Sequence, residues 1–250
     1  GLWNPASVAV PLGSRLRIAV GTMSAPVDVA VSGQLVTVAT RLGNGTTVGL
    51  SLVSASVKDL IRTESDPQSI GDEIPYSTTL LSLVAARRLG PVTLGAAVRL
   101  RNGHLDNEQR HAVSVDVGAI SRGLGRRDVR LAASTFLASP LGHGGERVAG
   151  LAAVDVRLAG LDTMRTSRAG VSMMITDGLT SEEYAFVGGR WGRLEGRVGA
   201  ALTHAYGRTN WRPRLGVAFH HRGYAIGVAR EESAGNISAT YQFTLRSVLR

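Results

Sequence analysis

Apolar and polar residues alternate with a period of two, in one short stretch after another, along the whole 250-residue chain. Alternation at that period puts successive side chains on opposite faces of an extended strand, so a chain patterned this way throughout folds into sheet. The first such stretch covers residues 14–22 and the last covers 236–248. Tight and long connections take turns between them. The tight ones, at 42–45, 88–91, 121–126, 160–163, 190–193 and 221–223, each hold a glycine, the residue that supplies the positive φ of hairpin turns. The long ones, such as those at 58–75, 101–108, 139–146, 177–182, 206–212 and 231–235, are polar. The pattern amounts to about fourteen strands, with about 18 residues for each strand and its connection, close to what a spanning strand of ~10 residues and its link consume. The expected fold is all-β: an antiparallel up-and-down barrel over residues 14–250, preceded by a short segment at 1–13.

The two faces differ in polarity. In the last stretch Ile237, Ala239, Tyr241, Phe243 and Leu245 share one face, while Ser238, Thr240, Gln242, Thr244 and Arg246 share the other. Leu194, Val198, Ala200 and Leu202 oppose Glu195 and Arg197 in the same way. A soluble sandwich points the apolar stripe inward, whereas a membrane barrel turns it to lipid and lines its lumen with the polar one. Period alone does not separate these. Three observations select the transmembrane β-barrel. The meander is uninterrupted, where sandwiches use Greek-key crossings. Short and long connections alternate. Trp191, Trp211, Phe219, Tyr224, Tyr241 and Phe243 stand toward strand ends or on the apolar face, as interfacial aromatics do. A soluble all-β binding protein is the alternative. The stretches 78–87 and 168–176, with Met173 and Met174 adjacent, are small or apolar on both faces and leave their registers open.

No window offers the ~20 apolar residues of a membrane helix. Cysteine is absent, which removes disulfides, thiolate catalysis and cysteine metal sites. A net charge of +9 raises the question of nucleic acid, but the arginines are scattered and aromatics make up only 5%, too few to interleave a basic patch. No nucleic-acid partner is expected. Lys58 is the only lysine, a bias of the kind a GC-rich genome produces. There is no Gly-x-Ser-x-Gly elbow and no Walker loop, and His220 and His221, adjacent on a strand, point to opposite faces and cannot share a metal. The chain reads as a non-enzyme with no cofactor.

Charged residues on the polar face are the candidate site. Arg99, Asp116, Arg130, Asp155, Arg157, Glu195 and Arg197 share the inward parity. Neighbouring strands lie ~4.8 Å apart, so Asp116 is expected to pair with Arg130, with Asp155 and Arg157 extending the line. The two acids and two bases of that line, Asp116, Arg130, Asp155 and Arg157, balance, and are expected to neutralise one another and fill the interior. The alternative is a constriction selecting polar or anionic solutes. The rims differ too: acids such as Asp106, Glu108, Glu182, Glu231 and Glu232 occupy long links, while Arg41, Arg88, Arg122, Arg126, Arg165, Arg190 and Arg222 crowd the short turns.

Ahead of the first strand stands Trp3-Asn4-Pro5-Ala6. An Asn-Pro-Ala tripeptide in this place resembles the signature of the FadL family of outer-membrane transporters for hydrophobic compounds, shared by the related PorV-like proteins of the type IX secretion system. Both groups are 14-stranded barrels. The resemblance implies that Asn4, Pro5 and Ala6 belong to an amino-terminal plug inside the barrel, in the bacterial outer membrane and surrounded by its lipid. It implies either passage of a hydrophobic small-molecule cargo through a gap between strands or, PorV-like, docking of an envelope or secretion partner without transport. The chain departs from the FadL pattern in that only about a dozen residues precede the first strand, fewer than a large gated plug needs.

Overall fold

The computed structural model describes residues 3–25, 30–58, 74–138, 148–160, 165–176, 179–205, 208–232 and 239–249. A 3₁₀ turn, Pro5–Val8, precedes fourteen strands: β1 (Leu16–Ser24), β2 (Val31–Arg41), β3 (Thr46–Val57), β4 (Tyr76–Leu89), β5 (Val92–Leu105), β6 (Glu108–Ser121), β7 (Arg130–Ala138), β8 (Val148–Ala159), β9 (Arg165–Thr176), β10 (Leu179–Trp191), β11 (Leu194–Ala205), β12 (Arg208–His221), β13 (Tyr224–Glu231) and β14 (Thr240–Leu249). Each pairs antiparallel with its neighbour in sequence, and β1 closes on β14 from Leu16↔Leu249 to Ser24↔Tyr241. The result is a closed barrel, with every strand paired on both sides among the described residues.

Its polarity is that of a protein turned inside out. Val36, Val38, Leu50, Leu52, Leu83, Val98, Leu194, Val198, Val217, Ile226, Phe243 and Leu245 are all exposed on the outer wall. Thr47, Ser51, Ser82, Arg99, Asp116 and Ser134 are buried on the inner one. A soluble protein could not leave so much contiguous apolar surface in water, whereas hydrocarbon removes the penalty. The aromatics form two groups on that wall. Trp191, Phe219 and Tyr224 lie near the short-turn end; Trp211 and Tyr241 lie near the other, where Arg230 stands over the Tyr241 ring at 5.8 Å. In the two stretches whose register was open, Leu81 and Leu83 point out against Ser82 and Val84, and Met173 points out against Met174.

Three of the connections read as long are short. β5 runs to Leu105 and β6 begins at Glu108, with Asp106 turning the chain at φ 54°; only two residues separate β9 from β10, and two separate β11 from β12. Polar composition was mistaken for loop. The apolar band of such a barrel is ~25 Å tall, and a strand as long as β5 overshoots it. Beyond the band a hairpin stays paired while both faces meet water, as the 2.8 Å bond between His111 Nδ1 and Asn102 Oδ1 illustrates. The first strand also begins later than expected, at Leu16. The last begins at Thr240, and positions 236–238, assigned to it from sequence, lie outside the described residues.

The outer wall makes a direct prediction. Val198 is 49% exposed at mid-strand on β11. Val198→Arg should destabilise the barrel by about 2–4 kcal/mol in lipid, the cost of a cation at the bilayer midplane. Unfolding titrations in vesicles measure it, and an effect within error would mean that this face does not meet hydrocarbon.

Candidate functional site: the lumen and its amino-terminal segment

Residues 3–10 lie inside the barrel, against the inner faces of β3 to β7. Asn4 caps the 3₁₀ turn, its Oδ1 accepting from the Ala6 amide at 2.9 Å. Its Nδ2 donates to the carbonyls of Ala119 at 3.1 Å and Ala133 at 2.9 Å, residues directly opposite each other on β6 and β7. One side chain thus ties two strands to the segment. Ser134 Oγ donates to the Trp3 carbonyl at 2.7 Å, Arg17 Nη1 to the Ser7 carbonyl at 2.8 Å, and the Val10 amide to Thr47 Oγ1 at 3.2 Å. Val8 and Val10 pack on Ala39, Val84, Ala86 and Ala97 in an apolar cluster on the inner wall.

Two glycines make room for this. A Cβ on Gly95 of β5 would overlap the backbone of Pro5 and Ala6, and one on Gly118 of β6 would overlap the Asn4 carboxamide. Strand interiors disfavour glycine unless another backbone approaches closely, which is what happens here.

The sequence-identified charged residues all face inward but do not form one cluster. Asp116, fully buried, pairs with Arg99, 6% exposed, on the adjacent β5. The Arg99 guanidinium also lies 5.5 Å from the Phe136 ring, and Trp3 meets that ring edge-on at 6.4 Å. The expected Asp116–Arg130 pair does not form. Register places Phe136 opposite Asp116, and Arg130 lies six residues further along β7, roughly 20 Å away. Arg130 instead lies 3.4 Å from Asp128. Asp155 pairs with Arg168 of β9, not with Arg157, which donates to the Arg126 carbonyl at 3.3 Å. Glu195 accepts from His220 at 3.0 Å, and Arg197 lies 4.3 Å above the Phe186 ring.

Several lumen residues escaped the sequence reading. Arg168 binds Asp128 as well as Asp155 and donates to the Asp128 carbonyl oxygen at 2.6 Å. Burial alone would raise the Asp128 carboxyl, yet the hydrogen bond from Arg168 and the charges of Arg130, Arg168 and Arg157 together hold it below its ordinary value. Toward the other end, Arg212 and Arg214 of β12 bridge Glu182 and Glu231. Arg212 pairs with Glu182 and lies 2.7 Å from Glu231; Arg214 lies 2.9 Å from Glu182 and 2.8 Å from Glu231. These two glutamates were assigned to an acidic rim. They point into the lumen by strand parity: Glu182 shares a face of β10 with Tyr184 and Phe186, and Glu231 ends β13 opposite Arg214. Arg212 and Arg214, two apart, were readable as one face once β12 was extended back to Arg208. These residues add three arginines and three acids to the lumen, Arg168, Arg212 and Arg214 with Asp128, Glu182 and Glu231.

The rest of the lumen is partly open. Recesses of about 440 and 490 Å³ both border Trp3 and Met174, the first beside Arg99 and Phe136, the second beside Tyr184, Arg214 and Glu231. A further recess of about 350 Å³ at the short-turn end is bordered by Arg157, Arg168 and Arg190, and it shares Arg197 with the 490 Å³ one. The second and third of these recesses both lie along β9 to β12, on the wall opposite the amino-terminal segment.

No family model matches the chain, and no curated protein matches it. Among solved structures it is similar to the CymD monoaromatic hydrocarbon channel, with a TM-score of 0.64 at 8% identity over 100% of this chain and 92% of that one. It is also similar to CdiB from Acinetobacter baumannii, with a TM-score of 0.50 at 9% identity over 94% of this chain and 60% of that one. A triple mutant of the Rhodopseudomonas blastica porin gives 0.48 at 9% identity, over 94% and 99%. At these identities the likeness is one of fold: a closed antiparallel barrel of the outer-membrane kind.

Proposed function

We propose that this barrel is an outer-membrane channel of FadL/PorV-like type for small or hydrophobic molecules, with residues 3–12 acting as a plug that narrows one side of the lumen. The observation that carries the reading is that two recesses, both bordered by Arg197, lie along the β9–β12 side of the lumen, away from the segment pinned to β3–β7. A purely structural barrel has no need to keep that side open. The resemblance of Asn4-Pro5-Ala6 to the FadL signature agrees with the position of the segment inside the wall. CymD, similar in fold, is a channel for monoaromatic hydrocarbons, and that supports a small, largely apolar cargo.

The test is uptake by cells. Expressed in the outer membrane of a Gram-negative host with intact lipopolysaccharide, the protein should speed entry of the apolar dye N-phenyl-1-naphthylamine severalfold over an empty-vector control. Uptake equal to the control, with the folded barrel present in the membrane, would remove the channel reading. It would leave docking of an envelope or secretion complex, for which the specific observation is the density of arginines at the short-turn end, including Arg41, Arg122, Arg126 and Arg222.

A further inference from the structure

The recess at the short-turn end is lopsided in charge. Five arginines border it against two carboxylates, Asp128 and Glu195. Those carboxylates are already engaged, Asp128 by Arg168 and Arg130, Glu195 by His220, and the nearby Asp155 is also held by Arg168. Three arginines are left over. Arg157 donates to the Arg126 carbonyl and acts on Asp128 only through its charge, Arg190 donates from Nε to the Gly192 carbonyl at 3.0 Å, and Arg197 lies on Phe186; among the described residues none of the three forms an ion pair with a carboxylate.

Guanidinium groups that face a recess without compensating acids hold a positive potential there, and the low-dielectric wall concentrates it. The fork geometry of arginine matches a carboxylate in a bidentate way, and rings of arginine are how pores select anions. An apolar ledge adjoins the charge. Phe186 stacks on Tyr184, with ring centroids 5.8 Å apart and planes 20° apart, and Tyr184 borders the neighbouring 490 Å³ recess. Arg197, common to both recesses, stands at the junction of ledge and charge.

Resting on the channel reading, we propose that this recess is an anion subsite of the lumen, taking the carboxylate of a small organic acid whose apolar body lies along Phe186 and Tyr184. Arg197 receives the anion from the central recess, and Arg157 and Arg190 draw it toward the short-turn end. The cargo class is thereby narrowed from apolar molecules in general to apolar acids.

Benzoate and its uncharged isostere benzamide separate the possibilities, titrated into the full chain in detergent and followed by ligand-observed NMR. Benzoate should bind about 10- to 100-fold more tightly, the span expected when hydrogen bonds to charged groups are gained on an otherwise equal body. The preference should shrink as salt rises. In the double variant Arg157→Gln, Arg197→Gln it should collapse, with heat-modifiable gel migration confirming the fold. Equal binding of the two ligands by the wild-type protein overturns the anion subsite whatever the variant does, as does a preference that survives in a folded variant. Neither result touches the dye-uptake test. A benzoate preference without dye uptake would uphold the subsite and remove the channel.

Discussion

Removal of residues 1–12 should raise single-channel conductance in planar bilayers severalfold. The segment fills the lumen beside β3 to β7 with Val8 and Val10 buried, so its loss opens cross-section on the side that is now closed. The barrel itself should survive, because every one of the fourteen ladders is formed without it. Asn4→Ala is the gentler version. It deletes two bonds to the Ala119 and Ala133 carbonyls and the cap on the 3₁₀ turn, a loss of about 1–3 kcal/mol in the hold on the segment. The expected record is flicker between the native and the deletion conductance. If the deletion conducts as the full chain does, the segment obstructs nothing and its place inside the wall is purely structural.

Breaking the Arg99–Asp116 pair should be the most destabilising lumen substitution. Both groups are almost sealed from solvent, so Arg99→Gln leaves the Asp116 carboxylate buried without its cation, at a cost of about 3–5 kcal/mol. Removing both should cost much less. A double-mutant cycle on Arg99→Gln and Asp116→Asn, read by thermal unfolding in detergent, should therefore give a coupling well above ~1 kcal/mol. Small additive effects would mean that water reaches the pair. The comparison pair is Arg130 with Asp128, where the arginine side chain is 49% exposed; exposed pairs contribute at most ~1 kcal/mol, and the same cycle there should be nearly flat.

Strand number, direction and face were legible from residues 14–250 because one physical signal, period-two alternation, fixes all three at once. Parity also placed Arg99, Asp116, Arg130, Asp155, Arg157, Glu195 and Arg197 on the inner wall. What parity cannot supply is height. Neighbouring strands of a barrel are staggered, so Asp116 and Arg130 share a wall and still lie far apart, while Arg99, on the other neighbour, is the true partner. The connections misled for a different reason. Asn102, His104, Gln109 and His111 are polar because they stand above the membrane band, not because the strand has ended, and a hydropathy pattern records only the solvent each residue meets. Glu182 was misplaced by the same error, and Glu231 because β13 ends on it rather than before it. Arg168 was missed because small residues around it blurred the alternation of β9.

Of the fourteen ladders, thirteen join strands that are consecutive in the chain, and only the seam of β1 with β14 joins residues more than two hundred positions apart. The thirteen can form one hairpin at a time, each closing a short loop, whereas the seam must wait until nearly all of the chain has been placed. Until then Leu16–Ser24 and Thr240–Leu249 are bare edges, each an invitation to a second copy. The amino-terminal segment hangs from one of those edges, so whether it ends up inside is decided as the seam zips. In this chain the last event of assembly, rather than any single hairpin, separates a sealed cylinder from an adhesive ribbon.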